Sequence, residues 1–482
     1  MYFDNGYVGA RSSTARSAID YWVGDAAAEL SSYTRAELMR KARYFRKNVG
    51  LARAMGSDIQ KHAIGPGLFP IPDTGDAKRD EEYFEYFQQV QKIADVTGRE
   101  TWYKSQSSRV PMKFFDGDSH VILSTGPAGY AQFQQVRSHN VGNFDVDAND
   151  ERWTDGVKRS ALGRRQAYRV KTRKSAKTIP AAFMLQAAIW DDPDGVRGAS
   201  CLGHAISNLH DTLDLLALEK SAVRENSRVA RVITGRDQYA ADENEEPDFD
   251  AEVVQPALNN TPTTDLAVDR LYASELVRLA DNESLESFTS NRPNATFTGF
   301  IDHLGRDISV GCGLPYEFSW NPSGLKSAAT RSITEKINAA CRMWQGNEEP
   351  DTVRFYQFVI LAGIAAGHIR PHRNWWKVEV YPGAPEVSID KGRDVRSDID
   401  LVKAGLMTLK RFFGVRGLYW KQQASQAMAE LLFYSTLKNG ELALRHPSEL
   451  LAKDALHTSQ DLRSTTQDSV DDKLDGNDQS KN

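Results

Sequence analysis

The chain has no Gly-Lys-Ser/Thr phosphate loop, no Gly-x-Ser-x-Gly nucleophile elbow and no Cys-x-x-Cys pair. ATP hydrolysis, triad-type acyl transfer and a thiolate metal site therefore have no local support. It has three cysteines in 482 residues, Cys201, Cys312 and Cys341, far apart and odd in number. That excludes a disulfide framework and fits a reducing compartment. Long apolar runs are also missing. The most apolar window, residues 353–369, contains Arg354 and Gln357, and it falls short of the roughly 20 residues that cross a bilayer. It reads as a buried helix, and no membrane partner is expected. The amino terminus has no apolar core behind a basic start, so no secretory signal is expected there. Excess positive charge is absent too. A formal net charge of -5 excludes a histone-like binder and leaves any nucleic-acid contact local. No internal repeat is visible.

What is present is an ordinary globular composition, 40% hydrophobic and 26% charged, long enough for two to four structural units. From Thr34 to Ile64 the pattern predicts one helix, with Thr34 as cap, Glu37 three residues later and the breaker Gly65-Pro66-Gly67 after it. A second helix is expected over residues 80–96. Residues 110–124 read as two strands around Asp116-Gly117-Asp118, and residues 181–190 as a strand or a short helix. Leu202, Ile206, Leu209, Leu213, Leu216 and Val223 then recur at alternating steps of four and three, with Lys220 taking one seam position, a narrow coiled-coil-type stripe that calls for neighbouring helices. Residues 235–265 are acidic and rich in Pro, Asn and Thr, predicting an exposed lobe. Residues 271–288 suggest two strands joined near Asp281-Asn282. A helix with Phe297, Phe300, Ile301, Leu304 and Ile308 on one side comes next. After a breaker-rich loop there is a helix through Ile333, Ile337, Cys341 and Trp344. Short strands near residues 378–381 and helices over 397–413 and 420–437 complete the ordered part; residues from 458 on read as disordered.

Candidates for chemistry are few. His204 and His210, six residues apart, fall on different sides of a helix, which suits a solvated surface better than a metal. His368 and His372 have zinc-protease spacing, but Pro371 lies between them and no glutamate stands in the base position. Asp116, Asp118 and His120 could hold a divalent ion in a nucleic-acid-processing enzyme, against the plainer reading of a hairpin turn. Residues 158–177 carry Arg164, Arg165, Arg169, Lys171, Arg173 and Lys174 with almost no acid, a set able to grip phosphates or an acidic partner; the alternative is a solvated hairpin.

Several stretches, in order, resemble the lambda-type portal family of tailed phages. Residues 46–72 are similar to the family's first wing helix and its glycine-rich exit. Arg197-Gly198 and the long helix after it resemble the entry to the first stem helix. Residues 272–294 resemble the strand pair and Arg-Pro-Asn leaving the clip, and residues 297–320 the second stem helix with its Gly-Leu-Pro-Tyr-Glu turn. Residues 393–430 resemble the segment beyond the wing. These matches cover most of the chain from 34 to 437. Where members commonly carry Asn-Tyr-Ser-Ser-Ala-Arg, this chain has Lys326-Ser327-Ala328-Ala329-Thr330-Arg331, keeping only the arginine.

The resemblance implies an α+β, multidomain portal fold assembling as a ring, usually a dodecamer. Its expected parts are an N-terminal arm (1–33), wing (34–198), stem helix 1 (199–234), clip (235–293), stem helix 2 (294–314), tunnel loop (315–327), wing helix and return (328–392), helical crown (393–457) and tail (458–482). It implies no catalysis and no cofactor. Double-stranded DNA would pass non-specifically through the channel during packaging and ejection, close to Tyr316, Trp320, Asn321, Lys326 and Arg331, each of which could equally pack between subunits. The clip acids Glu243, Glu245, Glu246, Asp248 and Asp250 would dock the terminase large subunit and the head-tail adaptor. Major capsid and scaffold proteins are further expected partners, with assembly in the host cytoplasm and residence at the portal vertex of the virion. A head-tail adaptor ring without motor contact is the structural rival. The modest negative charge suits passage, because attraction to every phosphate would stall transport.

Overall fold

The computed structural model describes residues 24–146, 150, 152–172, 175–190, 192–228, 232–235, 283–286, 295–320, 327–384 and 386–436. The acids Glu243, Glu245, Glu246, Asp248 and Asp250, the residues Asn321, Lys326, Arg173 and Lys174, and the tail from 458 on lie outside them. The fold is α+β, and the chain divides into two compact units, Met1–His204 with Ser309–Asn482, and Ala205–Ile308.

The first unit opens with α1 (Ala26–Glu29), α2 (Ser32–Asn48) and α3 (Gly50–Ile59). Two helices thus stand where the sequence predicts one, with Val49 extended between them (φ -117°, ψ 119°). The cap is Ser31, whose Oγ accepts from the Thr34 amide at 3.1 Å, and not Thr34. Apolar spacing carries across the break because Met39, Ala42 and Phe45 of α2 and Leu51, Met55 and Ile59 of α3 are all buried. Periodicity reports faces, not interruptions. The chain then widens into a π turn, Gln60–Ile64, and leaves it at Gly65, whose φ of 49° favours glycine.

After β1 (Leu68–Pro72) come α4 (Ala77–Ile93), capped by Asp76, and α5 (Trp102–Asp116), capped by Thr101. The expected hairpin at 110–124 is not there. The helix runs through Pro111 to Asp116, and Gly117 closes it at φ 93°. Strand structure begins only beyond that glycine, as β2 (Asp118–Thr125). Val110, Met112 and Phe114 mimic a strand's alternation, but the face of α5 also carries buried Arg109 and Lys113, which only their partners make apolar-compatible. β2 then lies between β3 (Ala131–Val136) and, after a four-stranded antiparallel meander of β4 (Trp153–Thr154), β5 (Val157–Arg159), β6 (Arg165–Lys171) and β7 (Ala176–Pro180), the strand β8 (Met184–Ala188). In this sheet Leu123 faces Phe133 and Val121 faces Leu185.

The second unit is a helical hairpin. The helix α6 (Ile206–Arg228) leads to β9 (Val232–Gly235), which pairs antiparallel with β10 (Glu283–Glu286), and α7 (Ala295–Gly311) returns. Within the stretch 271–288, β10 therefore finds its partner about fifty residues earlier, Leu285 opposite Ile233, a pairing that local sequence does not announce. The long helix expected from residue 199 starts at Ile206, after a 3-10 turn at Gly203–Ala205.

The return holds α8 (Tyr316–Ser319) and the 39-residue α9 (Ser327–Ala365), which continues through Pro350. Its second half completes the main core. Phe355, Tyr356, Val359 and Ile360 pack on Tyr83, Phe87 and Val90 of α4, Trp102 of α5 and the β2–β3–β8 sheet, with Trp102 stacked on Phe355 at 3.8 Å between centroids. The buried helix expected at 353–369 is this half. β11 (Val378–Pro382) pairs with β1, and α10 (Lys391–Lys403), α11 (Leu409–Gly414) and α12 (Trp420–Thr436) come last. The helix expected over 397–413 is split at Gly405 (φ 72°), with Thr408 capping α11.

Candidate functional site

Arg197 and Gly198, the pair that carries part of the family resemblance, form a buried node. The Arg197 side chain is 2% exposed. Its Nε donates to the Asp118 carboxylate, its Nη1 to the carbonyls of Val141 (3.0 Å) and Asp155 (2.8 Å), and its Nη2 to the carbonyl and hydroxyl of Ser138 (both 3.1 Å). Arg35 of α2 reaches the Asp155 carboxylate and Ser138 Oγ from the other side. Burial by itself would raise the Asp118 carboxyl, but the Arg197 charge and hydrogen bonds beside it win and hold it far below the usual carboxylate range. Gly198 is required next door. A Cβ there would lie 2.1 Å from the Gly117 carbonyl oxygen, so the two backbones touch where α5 turns into β2.

The same contacts dispose of the metal reading at Asp116, Asp118 and His120. Asp116 is held bidentate by Arg43 of α2, at 2.7 and 2.6 Å, and Asp118 by Arg197. His120 is fully buried, and burial lowers its pKa to about 3. Among the described residues no three His, Cys, Asp or Glu side chains are grouped to hold a metal ion. The other histidine pair is structural: His368 stacks on Tyr130 at 4.5 Å and bonds the Ala128 carbonyl at 3.0 Å, while His372 Nδ1 accepts from the Asn374 amide.

A second buried network lies on the side of α5 that faces α9. Arg109 and Lys113 share the Glu348 carboxylate, Arg109 also reaches Asp351 at 3.0 Å, and Gln106 donates to Thr352 Oγ1 at 2.8 Å. These acids and the threonine bracket Pro350, where a proline leaves one carbonyl of α9 without its amide donor. Hydropathy could not flag these residues, since a buried charge is recognised only by its partner.

The residues expected near DNA separate in the structure. Tyr316 is 4% exposed, so its ring has no surface to offer. Trp320 is 56% exposed, and Arg331, at the start of α9, is exposed. The basic segment proves to be the β5–β6–β7 meander. Tyr168 and Val170 turn inward. Arg169 bonds the Phe144 carbonyl (2.8 Å) and Thr178 Oγ1 (2.9 Å), and Lys171 sits over the Phe144 ring at 5.4 Å. Arg165 lies over the Trp190 ring at 4.5 Å, and Arg164 is exposed at the β5–β6 turn. Arg164 and Arg165, with Arg159 and a residue no local pattern would group with them, Arg354 of α9, line a cleft of about 630 Å³.

In the second unit, the stripe on α6 is buried only near its start. Ile206 and Leu209 are buried, Leu213 and Leu216 are half-buried, and Val223 is 41% exposed; Leu218, off the stripe, is 68% exposed. On α7 the burial is likewise one-sided, with Ile308 and Leu304 buried and Phe300 50% exposed. Asn208 Nδ2 donates to Asp307 Oδ2 at 2.6 Å between the two helices.

No curated protein sequence matches the chain. Solved structures that are similar to it include a chain from the virion of a native gene transfer agent particle, at 10% identity and a TM-score of 0.47, covering 82% of this chain and 97% of that one. A chain from the neck of an empty gene transfer agent particle gives 12% identity and a TM-score of 0.48, covering 80% and 93%. One from the neck of the native particle gives 11% and 0.46, covering 78% and 91%. The family model for phage portal protein, lambda family, matches residues 21–345, about two thirds of the sequence. The chain belongs to the lambda family of phage portal proteins.

Proposed function

We propose that copies of this portal protein stand side by side as a dodecameric ring at one capsid vertex, and that double-stranded DNA passes through the ring in packaging and ejection. The observation that carries this reading is the family match from 21 to 345, which takes in both helices of the second unit and the acidic segment between them. Two physical features support it. Apolar surface on the far halves of α6 and α7, Leu218 and Phe300 above all, is left exposed among the described residues, as lateral neighbours in a ring require. The net charge of -5 gives phosphates little to hold, as transport requires.

In this reading Trp320 and Arg331, with Asn321 and Lys326, approach DNA in the tunnel, and Tyr316 packs behind them. Glu243, Glu245, Glu246, Asp248 and Asp250 dock the terminase large subunit and later the head-tail adaptor, and the wing meets capsid and scaffold proteins. A divalent-metal nuclease has no such support, since Asp116 and Asp118 are spent on arginines. The family match likewise favours a portal over an adaptor ring.

The test is negative-stain imaging of purified protein, where rings with a central hole are expected. A species that remains a single chain at high concentration, even beside scaffold and capsid proteins, refutes the assembly. Pull-down with the terminase large subunit tests the docking role: deletion of residues 243–264 should abolish capture.

A further inference from the structure

We propose that the cleft between the β5–β6 turn, the turn at 193–196 and α9 is a docking site for an acidic segment of a partner protein, whose carboxylates are received by Arg159, Arg164, Arg165 and Arg354. Four guanidinium groups line it and none is ion-paired among the described residues. The one acid in the lining, Asp194, accepts from the Ala26 amide at 3.0 Å and forms no ion pair with any of the four, and its single charge offsets at most one of them. The three positive charges in excess around one cleft repel one another and favour an anion among them.

The arginines are held without being neutralised. Arg165 lies over the Trp190 ring at 4.5 Å. Arg354 donates to the carbonyl of Ala181 at 3.0 Å, and Arg159 to Thr154 Oγ1 at 3.2 Å. Each contact uses one edge or face of a guanidinium and leaves other donors of its fork for a ligand, while limiting the side-chain freedom that binding must remove. Arg164 has no ion pair and stands exposed at the mouth.

Size and lining select the kind of anion. A volume of about 630 Å³ suits a few side chains of an extended segment and is too small to receive a duplex. The glycine amides that border the cleft are already used, Gly163 by the Ser160 carbonyl and Gly195 by the Asp192 carbonyl. The backbone cradle that normally holds a free phosphate is therefore missing on that side. The walls include Ala181, Pro193 and Val196, and Leu162 at the rim is 96% exposed. A segment mixing carboxylates with apolar side chains matches both surfaces, and a bare phosphate matches one.

The probe is a fluorescein-labelled peptide of mixed Glu and Leu, titrated against the full chain and followed by anisotropy. Its counterpart has Gln in place of Glu, and inorganic tripolyphosphate serves as the competing anion. The Glu peptide should bind at least about tenfold more tightly than the Gln peptide and weaken as salt rises. Arg164→Glu should lower its affinity by about tenfold or more, while Arg164→Lys retains most of it. The internal hydrogen bonds of Arg164 run through its backbone, to Ser160, and a side-chain substitution leaves them in place, so both variants should keep the parent's melting curve; Arg159→Gln repeats the test at a second position. Equal binding of the two peptides, no loss in Arg164→Glu, or tripolyphosphate binding more tightly than the Glu peptide would each overturn the proposal. Ring closure is a separate measurement, so neither result decides the other.

Discussion

Replacing Arg197 by Met keeps the length of the side chain and removes every donor of the buried node. Asp118, 0% exposed, is then a carboxylate without its principal cation, and the carbonyls of Ser138, Val141 and Asp155 lose a donor. Breaking a buried ion pair from one side costs about 3–5 kcal/mol, a large part of the roughly 5–15 kcal/mol that stabilises a folded domain. The loss should also depend on pH with a definite sign. In the parent, Asp118 is held below its unfolded value, so its contribution is present at neutral pH and is lost only as pH falls through the folded pKa, in strong acid. In Arg197→Met the desolvation that Arg197 had outweighed pushes the carboxyl up, so the variant regains stability relative to the parent as pH falls from about 7 to 5. Urea unfolding followed by tryptophan fluorescence at both pH values measures this. The double variant Arg197→Met, Asp118→Leu should recover at least about 1 kcal/mol of the single variant's loss, because the stranded charge has gone. A deficit below about 1 kcal/mol at pH 7, one that does not shrink at pH 5, or a double variant no better than the single would refute the account.

Gly198→Ala places a methyl 2.1 Å from the Gly117 carbonyl oxygen, and backbone on both sides cannot yield cheaply; thermal melting should show a loss of at least about 2 kcal/mol. His120, lowered from 6.5 to about 3 by burial, makes the unfolded chain the better proton binder between those values, so stability should fall as pH drops through that window. In His120→Phe the slope should be smaller by about one proton, read from urea midpoints across the range. Leu218→Glu with Phe300→Glu should leave the monomer's melt within about 0.5 kcal/mol of the parent, since both sites are exposed. The same pair should prevent ring closure in light scattering and negative stain, and rings in that variant would show that this surface is not the lateral contact.

Legibility followed the range of the physics. The helix at α4, the buried half of α9 and both helices of the second unit were readable because apolar spacing is a local signal, set by the geometry of a single element, while a run as short as 181–190 fitted a strand or a short helix equally. The break at Val49 was not, because packing of α2 and α3 on a shared neighbour, α5, preserves the apolar period across the interruption; the split at Gly405 was not either, because a glycine's positive φ is set by backbone and not by apolar spacing. The error at Val110 to Asp116 came from reading period two in Val110, Met112 and Phe114, while the deciding residues were Arg109 and Lys113, buried against Glu348 of α9.

The candidate sites divide in the same way. Sequence determined that the net charge is small and negative, that residues 158–177 are basic, that Arg197-Gly198 stands just ahead of a long helix, and that the chain matches a portal. Tertiary structure decided that Asp116 and Asp118 answer arginines, that Tyr316 is buried while Trp320 is open, and that Arg354 joins Arg159, Arg164 and Arg165 across nearly two hundred residues. The reason is that a charge has no fixed meaning along the chain. Its energy is set by what the fold brings within a few ångströms of it.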